Sequence, residues 1–275
     1  ADGILNRTRQ QLIHLLNDSI TNRPEIYMVE NMDIFESLIG GRFPDWGAAA
    51  ALPLKNLIVV KSPDSFNLGR PLYELLSHEY AHLALHHRTG RYAPPRWFDE
   101  GLAMMVSAEW SWTDNLAMSR AAVFGRFIRL LDIEQMNRFN SVRAHQAYAQ
   151  SYLAVQYLYR EYGREAVNVF LDEIAAGATV DSALMASIGS DYWGFQQEFN
   201  IYLTQRFNAA SLFMDTIYLW IALAIVVIIG GLLRMKSKRD YFKKWEEDEK
   251  LHSTDFDYGD PDHPEKTDDD EPWRN

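Results

Sequence analysis

Two histidines stand four residues apart with a glutamate beside the first, His78-Glu79-Tyr80-Ala81-His82, and Trp97-Phe98-Asp99-Glu100-Gly101 follows. On a helix, residues so spaced project from one face about 6 Å apart along the axis, so both imidazoles can converge on one metal ion. Glu79 points elsewhere and can reach a water on that metal without taking a coordination place, which is what a general base requires. A catalytic zinc takes three protein ligands and leaves a fourth position open, so a third ligand must come from outside the pentapeptide. Glu100 is the candidate. Pro94-Pro95 breaks the chain, and Arg96 to Glu109 reads as a second helix with Glu100 near its start and Gly101 letting another helix approach. The chemistry expected of this set is metal-assisted hydrolysis.

The elements that must position these groups are legible around them. Leu72, Leu75, Leu76, Tyr80, Leu83 and Leu85 give residues 72–87 an amphipathic helical pattern, and Gly90 offers a stop. Upstream, the pattern predicts helices over Ile4 to Asn17 and Asp33 to Ile39, strands over Glu25 to Val29 and Leu57 to Lys61, and a loop around Trp46. Downstream, helices are expected over Val123 to Leu131, Ser151 to Tyr162, Arg164 to Ala176, Val180 to Ile188 and Trp193 to Phe207. Short strands before the motif and helices after it are an α+β pattern, with a helical second lobe closing a cleft. No internal repeat is evident.

With these segments in view, the chain resembles the gluzincin metallopeptidases, especially the bacterial peptidase MA-like group related to thermolysin and to zinc aminopeptidases. The resemblance runs from the strand at Pro24 to Val29 through Trp46-Gly47-Ala48, Asn56 to Lys61, HEYAH and WFDEG to Ala147-Tyr148-Ala149-Gln150-Ser151-Tyr152 and Tyr162-Gly163. It implies a zincin-like fold with a small sheet, zinc on His78, His82 and Glu100, and Glu79 activating water. It also implies a tyrosine that polarises the carbonyl or stabilises the oxyanion, for which Tyr148 is the better match and Tyr152 the second. The strand Leu57 to Lys61 would be the edge that pairs with extended substrate, unless it is an ordinary sheet edge. Two departures count. The Gly-Ala-Met-Glu-Asn signature of the aminopeptidases is absent upstream, so aminopeptidase activity is not supported. Met104 stands where thermolysin-like enzymes place an Asp, which leaves the histidines' hydrogen-bond partner unassigned.

Other zinc classes fail on residues. Metzincins need Gly and His where Leu85 and Arg88 stand. Intramembrane proteases embed the motif in an apolar span, whereas Glu74, His86 and His87 crowd this helix. His86 and His87 read as solvated residues near a helix end, and His14 and His145 as ordinary packed or surface histidines. Asp99 reads as a cap or surface carboxylate near a helix start, with orientation of a histidine as its other reading. Tyr148 and Tyr152 also fit the plain core of an apolar helix.

At 275 residues and 47% hydrophobic, the chain can bury one substantial core, placed at residues 1–210. The run Leu212 to Leu233 (residues 212–233) is nearly unbroken in apolar character and long enough to span a bilayer, making lipid a partner. Arg234, Lys236, Lys238, Arg239, Lys243 and Lys244 follow at once, while Asp215 alone marks the other end and Tyr218 and Trp220 suit an interfacial belt. A single pass is therefore expected in a bacterial inner membrane, the C-terminus cytoplasmic and the zinc domain outside or periplasmic. That placement needs an export signal, and Ala1-Asp2-Gly3 reads as the mature end left after its cleavage. The lack of cysteine excludes disulfides and thiolate sites.

Residues 1–215 carry 18 Lys and Arg against 24 Asp and Glu, and residues 234–275 carry 9 against 14, so nucleic acid is not an expected partner. Glu246 to Asn275 reads as a flexible cytoplasmic tail, either solvating or recruiting a cytoplasmic partner. Two functions follow. One is a membrane-anchored zinc endopeptidase acting on extracytoplasmic proteins or peptides. The alternative is a catalytically inactive zincin-fold membrane module serving as an interaction subunit of a complex.

Overall fold

The structure, a computed structural model, describes residues 2–18, 23–41 and 47–251. Trp46 and most of the acidic tail lie outside the described residues. Two compact units divide at Thr216 and Ile217.

The first unit is mostly helical around a three-stranded sheet. Strands β1 (Glu25–Val29), β2 (Ala49–Leu52) and β3 (Leu57–Lys61) lie in the order β1-β3-β2. Strand β3 pairs parallel to β1 and antiparallel to β2. A central strand covered on both faces is a nearly continuous apolar run, and every residue of Leu-Ile-Val-Val-Lys is buried, the closing lysine included. Leu57 and Val59 pack with Phe35 of helix α2 (Met32–Ile39), while Ile58 and Val60 join the main core. Lys61 ends the strand with its ammonium over the rings of Phe35 and Phe66, at 5.4 and 5.5 Å from their centroids. The expectation that β3 is an exposed edge is thus corrected. The free edge beside the cleft belongs to β2, which lies within residues read as loop.

Helix α1 (Asp2–Leu16) packs on α3 (Leu72–Thr89), the helix that carries the histidines. Pro71 precedes α3 in extended conformation, and Gly90 closes it at φ 67° with its N–H donating to His86 O. Helix α4 (Arg96–Ser107) starts just past Pro95, where a proline ring tolerates the unpaired first turn. Glu134 accepts the Arg96 backbone N–H at 2.8 Å, putting negative charge at the helix's positive end.

Helix α5 (Trp112–Val123) starts from a Ser111–Asp114 capping box and was not expected. The predicted helix over Val123 to Leu131 does not form. Gly125 at φ 61° ends α5, and a 3-10 segment starts only at Leu130. The extended stretch between is held by buried amides: Gln150 accepts the Ile128 N–H and donates to Ile128 O, and Gln196 accepts the Leu130 N–H. Helix α6 (Ser141–Ala175) begins ten residues ahead of the predicted Ser151 and breaks at Gly163, φ 82°, where the sequence predicted a division. Helices α7 (Val180–Ile188), α8 (Tyr192–Arg206) and α9 (Ala209–Asp215) complete the unit, and α9 packs on α5.

The second unit is described by helix α10 (Ile217–Leu251), the one helix among the described residues long and apolar enough to cross a membrane. Its apolar part begins at Ile217, five residues inside the expected Leu212, because Leu212 to Asp215 belong to α9.

Candidate active site

A cleft of about 800 Å³ runs between β2, α3, α4 and the 3-10 segment. It is lined by His78, Glu79, His82, Glu100 and Tyr148 together, all of them residues singled out by sequence. The Nε2 atoms of His78 and His82 lie 3.6 and 3.7 Å from Glu100 Oε2. Four donors about 2.1 Å from one cation in a tetrahedron stand about 3.4 Å apart, so this spacing fits a divalent metal. One ligand atom from each residue lies within 4.8 Å of the other two.

The ring nitrogens are sorted by what holds them. His78 Nδ1 lies 2.8 Å from Glu109 Oε1, and His82 Nδ1 lies 2.6 Å from Asp99 Oδ1. A carboxylate on the inner nitrogen fixes the ring and leaves Nε2 to face a metal. Asp99 is thereby corrected from a cap to the orienter of His82. It also meets His86 Nε2 at 3.0 Å, so His86 belongs to the network and lines the cleft, and is not merely solvated. Glu109 was missed. It follows Ala108, which turns the chain at φ 59° past the end of α4, and its other oxygen takes the Arg70 guanidinium. Arg96 donates to Glu100 Oε1 at 3.2 Å, leaving Oε2 to face the two Nε2 atoms.

Charge in the site follows from these contacts. Burial disfavours His82's cation, yet Asp99 and Glu100 outweigh it and raise the imidazole to about 9. His78 is also buried, and Glu100 and Glu109 hold it well above its ordinary value. Burial opposes ionisation of Glu109, but His78 and Arg70 bring it down to about 2. Glu79 moves the other way: burial raises it, against the favourable histidines and the Ala51 backbone N–H. Burial and Glu100 push Tyr148 upward against Arg96 and Arg70, so its phenol keeps its proton and remains a donor.

The two tyrosines separate. Tyr148 lines the cleft, whereas Tyr152 stacks on Trp110 with centroids 4.8 Å apart and accepts from Gln156 Nε2 at 3.2 Å. Close contact of α4 with α6 brings Tyr148 in. At Gly101 a β-carbon would stand 2.6 Å from Ser151 C and 2.7 Å from Val155 Cγ2, so only glycine fits between the helix that carries Glu100 and the one that carries Tyr148.

Two helix-borne imidazoles, each oriented by a carboxylate and facing a glutamate from the next helix, form a cluster that could hold a metal ion. Residues 8–205 match the family described as the Peptidase MA superfamily, and the chain belongs to that superfamily. Membership supports a peptidase-type enzyme, in agreement with the resemblance carried by the motifs. Comparisons with curated proteins and with solved structures give no match.

Proposed function

We propose that this chain is a membrane-anchored zinc endopeptidase of the gluzincin type, acting on extracytoplasmic polypeptides. The observation that carries it is the convergence of His78 Nε2, His82 Nε2 and Glu100 Oε2 beside a buried Glu79. A zinc ion held by those atoms supplies Lewis acidity toward a carbonyl and acidifies water. Glu79, its carboxylate made more basic by burial, takes the proton from the attacking water and passes it to the leaving amine nitrogen. Tyr148 donates its O–H to the carbonyl oxygen as charge gathers there.

Substrate is held by β2. Lys61 N–H donates to Ala48 O, and Ala49 pairs with Val60 in register, so Ala48 and Ala50 bond to β3. Alternation along an antiparallel ladder then turns the peptide groups of Ala49 and Ala51 outward. Ala51 N–H serves Glu79, and the remaining outward groups can pair with an extended chain. A second cavity of about 640 Å³ shares Pro53, His86 and Ala93 with the cleft and continues it toward Gly90. That continuation lengthens the cleft on one side, room that an extended polypeptide substrate can use.

The test is a metal analysis joined to a peptide-library digest of wild type and Glu79→Gln. The variant should keep its zinc while hydrolysis falls by roughly two to four orders of magnitude. Full activity in the variant would remove Glu79 as base. Zinc-loaded wild type that cuts nothing would favour the non-catalytic module.

A further inference from the structure

We infer that α9 seats the catalytic unit on the bilayer surface, so that the cleft acts on membrane-proximal segments of polypeptides themselves held in the membrane. This rests on the membrane-anchored peptidase reading and names its substrate class. Between Asp215 and the first cation, Arg234, the apolar helix runs from Ile217 to Leu233, seventeen residues. At 1.5 Å per residue this spans about 25 Å, short of a hydrocarbon core about 30 Å thick. A short span is accommodated by thinning the bilayer and by drawing flanking residues inward. Arg234 can snorkel at one end. At the other end the next apolar side chains are Met214 and Phe213 of α9, 61% and 53% exposed.

One residue, Thr216, links α9 to the span. Helix α9 ends at Asp215 and α10 begins at Ile217. Thr216, between them, bonds back into α9: its N–H donates to Leu212 O and Phe213 O, both at 3.2 Å, and its hydroxyl donates to Leu212 O at 2.9 Å. Nor is α9 a loose arm, since it packs on α5. Burying Met214 and Phe213 in the interface therefore brings the folded unit down with them. A unit of this chain length is about 45 Å across by the usual scaling of radius of gyration. A peptide bond rigidly held farther above the bilayer is out of reach.

Two experiments test this on the full chain in vesicles. The chain has no cysteine, so Met214→Cys accepts a single environment-sensitive fluorophore. Quenching by headgroup-level lipid quenchers is expected. Quenching by aqueous iodide alone would overturn the seat. For the substrate class, a peptide cut in solution is built into a membrane-anchored reporter above a Pro-rich spacer of 10 or 40 residues, about 30 or 125 Å of reach. The near site should be cut at least about tenfold faster, and inserting the long spacer between Thr216 and Ile217 of the peptidase should reverse the preference. Equal cutting of both reporters, or no reversal, would overturn the inference while solution hydrolysis still upheld the peptidase reading. If the detergent-solubilised protein cuts no peptide at all, both fall together.

Discussion

His78 and His82 each give one ring nitrogen to a carboxylate and turn the other toward Glu100, and for the proposed zinc site that division makes two predictions. Glu109→Gln and Asp99→Asn should each weaken zinc binding about 10- to 100-fold while leaving the ligands themselves in place, measured by competition with a chelating dye. The second concerns protons. His82 is raised to about 9 in the metal-free protein, so at pH 7 it is an imidazolium whose Nε2 proton zinc must displace. Zinc affinity should therefore rise with pH up to about 9, with roughly one to two protons released at pH 7. Calorimetry in buffers of different ionisation enthalpy reads the release directly, and a binding heat independent of buffer would show the nitrogens already free. Tyrosines give a matched pair. Tyr148→Phe should lower kcat by about two to three orders of magnitude with little change in KM, the usual loss for one oxyanion donor. Tyr152→Phe, whose hydroxyl meets Gln156 away from the cleft, should leave both near wild type. The reverse ranking would exchange their roles.

At the scale of elements, contact between α4 and α6 joins Glu100 to the cleft tyrosine, Tyr148. Gly101→Ala should cost about 1–3 kcal/mol of stability by overpacking against Ser151 and Val155. It should also lower activity in the fraction that folds, since a widened helix pair withdraws Tyr148 from Glu100. Thermal unfolding together with peptide hydrolysis checks both, and an unchanged melting temperature would show that the contact yields freely. The helices α3 and α4 were legible because HExxH fixes its own spacing and prolines stand at their starts. Strand β1 and strand β3 were legible from their apolar runs. Strand β2 was not, because Ala-Ala-Ala-Leu lacks the branched and aromatic residues that mark a strand, and its pairing comes from β3. The stretch after Val123 read as helix, yet its backbone is satisfied by Gln150 and Gln196 from distant helices, partners that periodicity cannot show. Glu109 was hidden for a similar reason: a left-handed Ala108 turns it back toward His78, and alanine carries no sign of that conformation. Asp99 was visible at the right spacing, but capping and orienting call for the same residue at a helix start.

For the whole molecule, one apolar helix follows a peptidase-type unit, and charge decides which way the chain runs through a bilayer. Six cations lie between Arg234 and Lys244, directly past the apolar stretch, whereas its other end carries only Asp215. Cationic flanks stay on the cytoplasmic side, so the unit up to Thr216 should face outward and the tail inward. Protease added to intact cells should then degrade a tag placed ahead of residue 209 and spare one at Asn275. After lysis both should be lost. Substituting the cations from Arg234 to Lys244 by glutamine should weaken this preference and yield a mixed population, which separates a charge-set topology from one imposed by prior export of the folded unit. Protection of the first tag with loss of the second in intact cells would place the cleft in the cytoplasm and assign its substrates to that compartment.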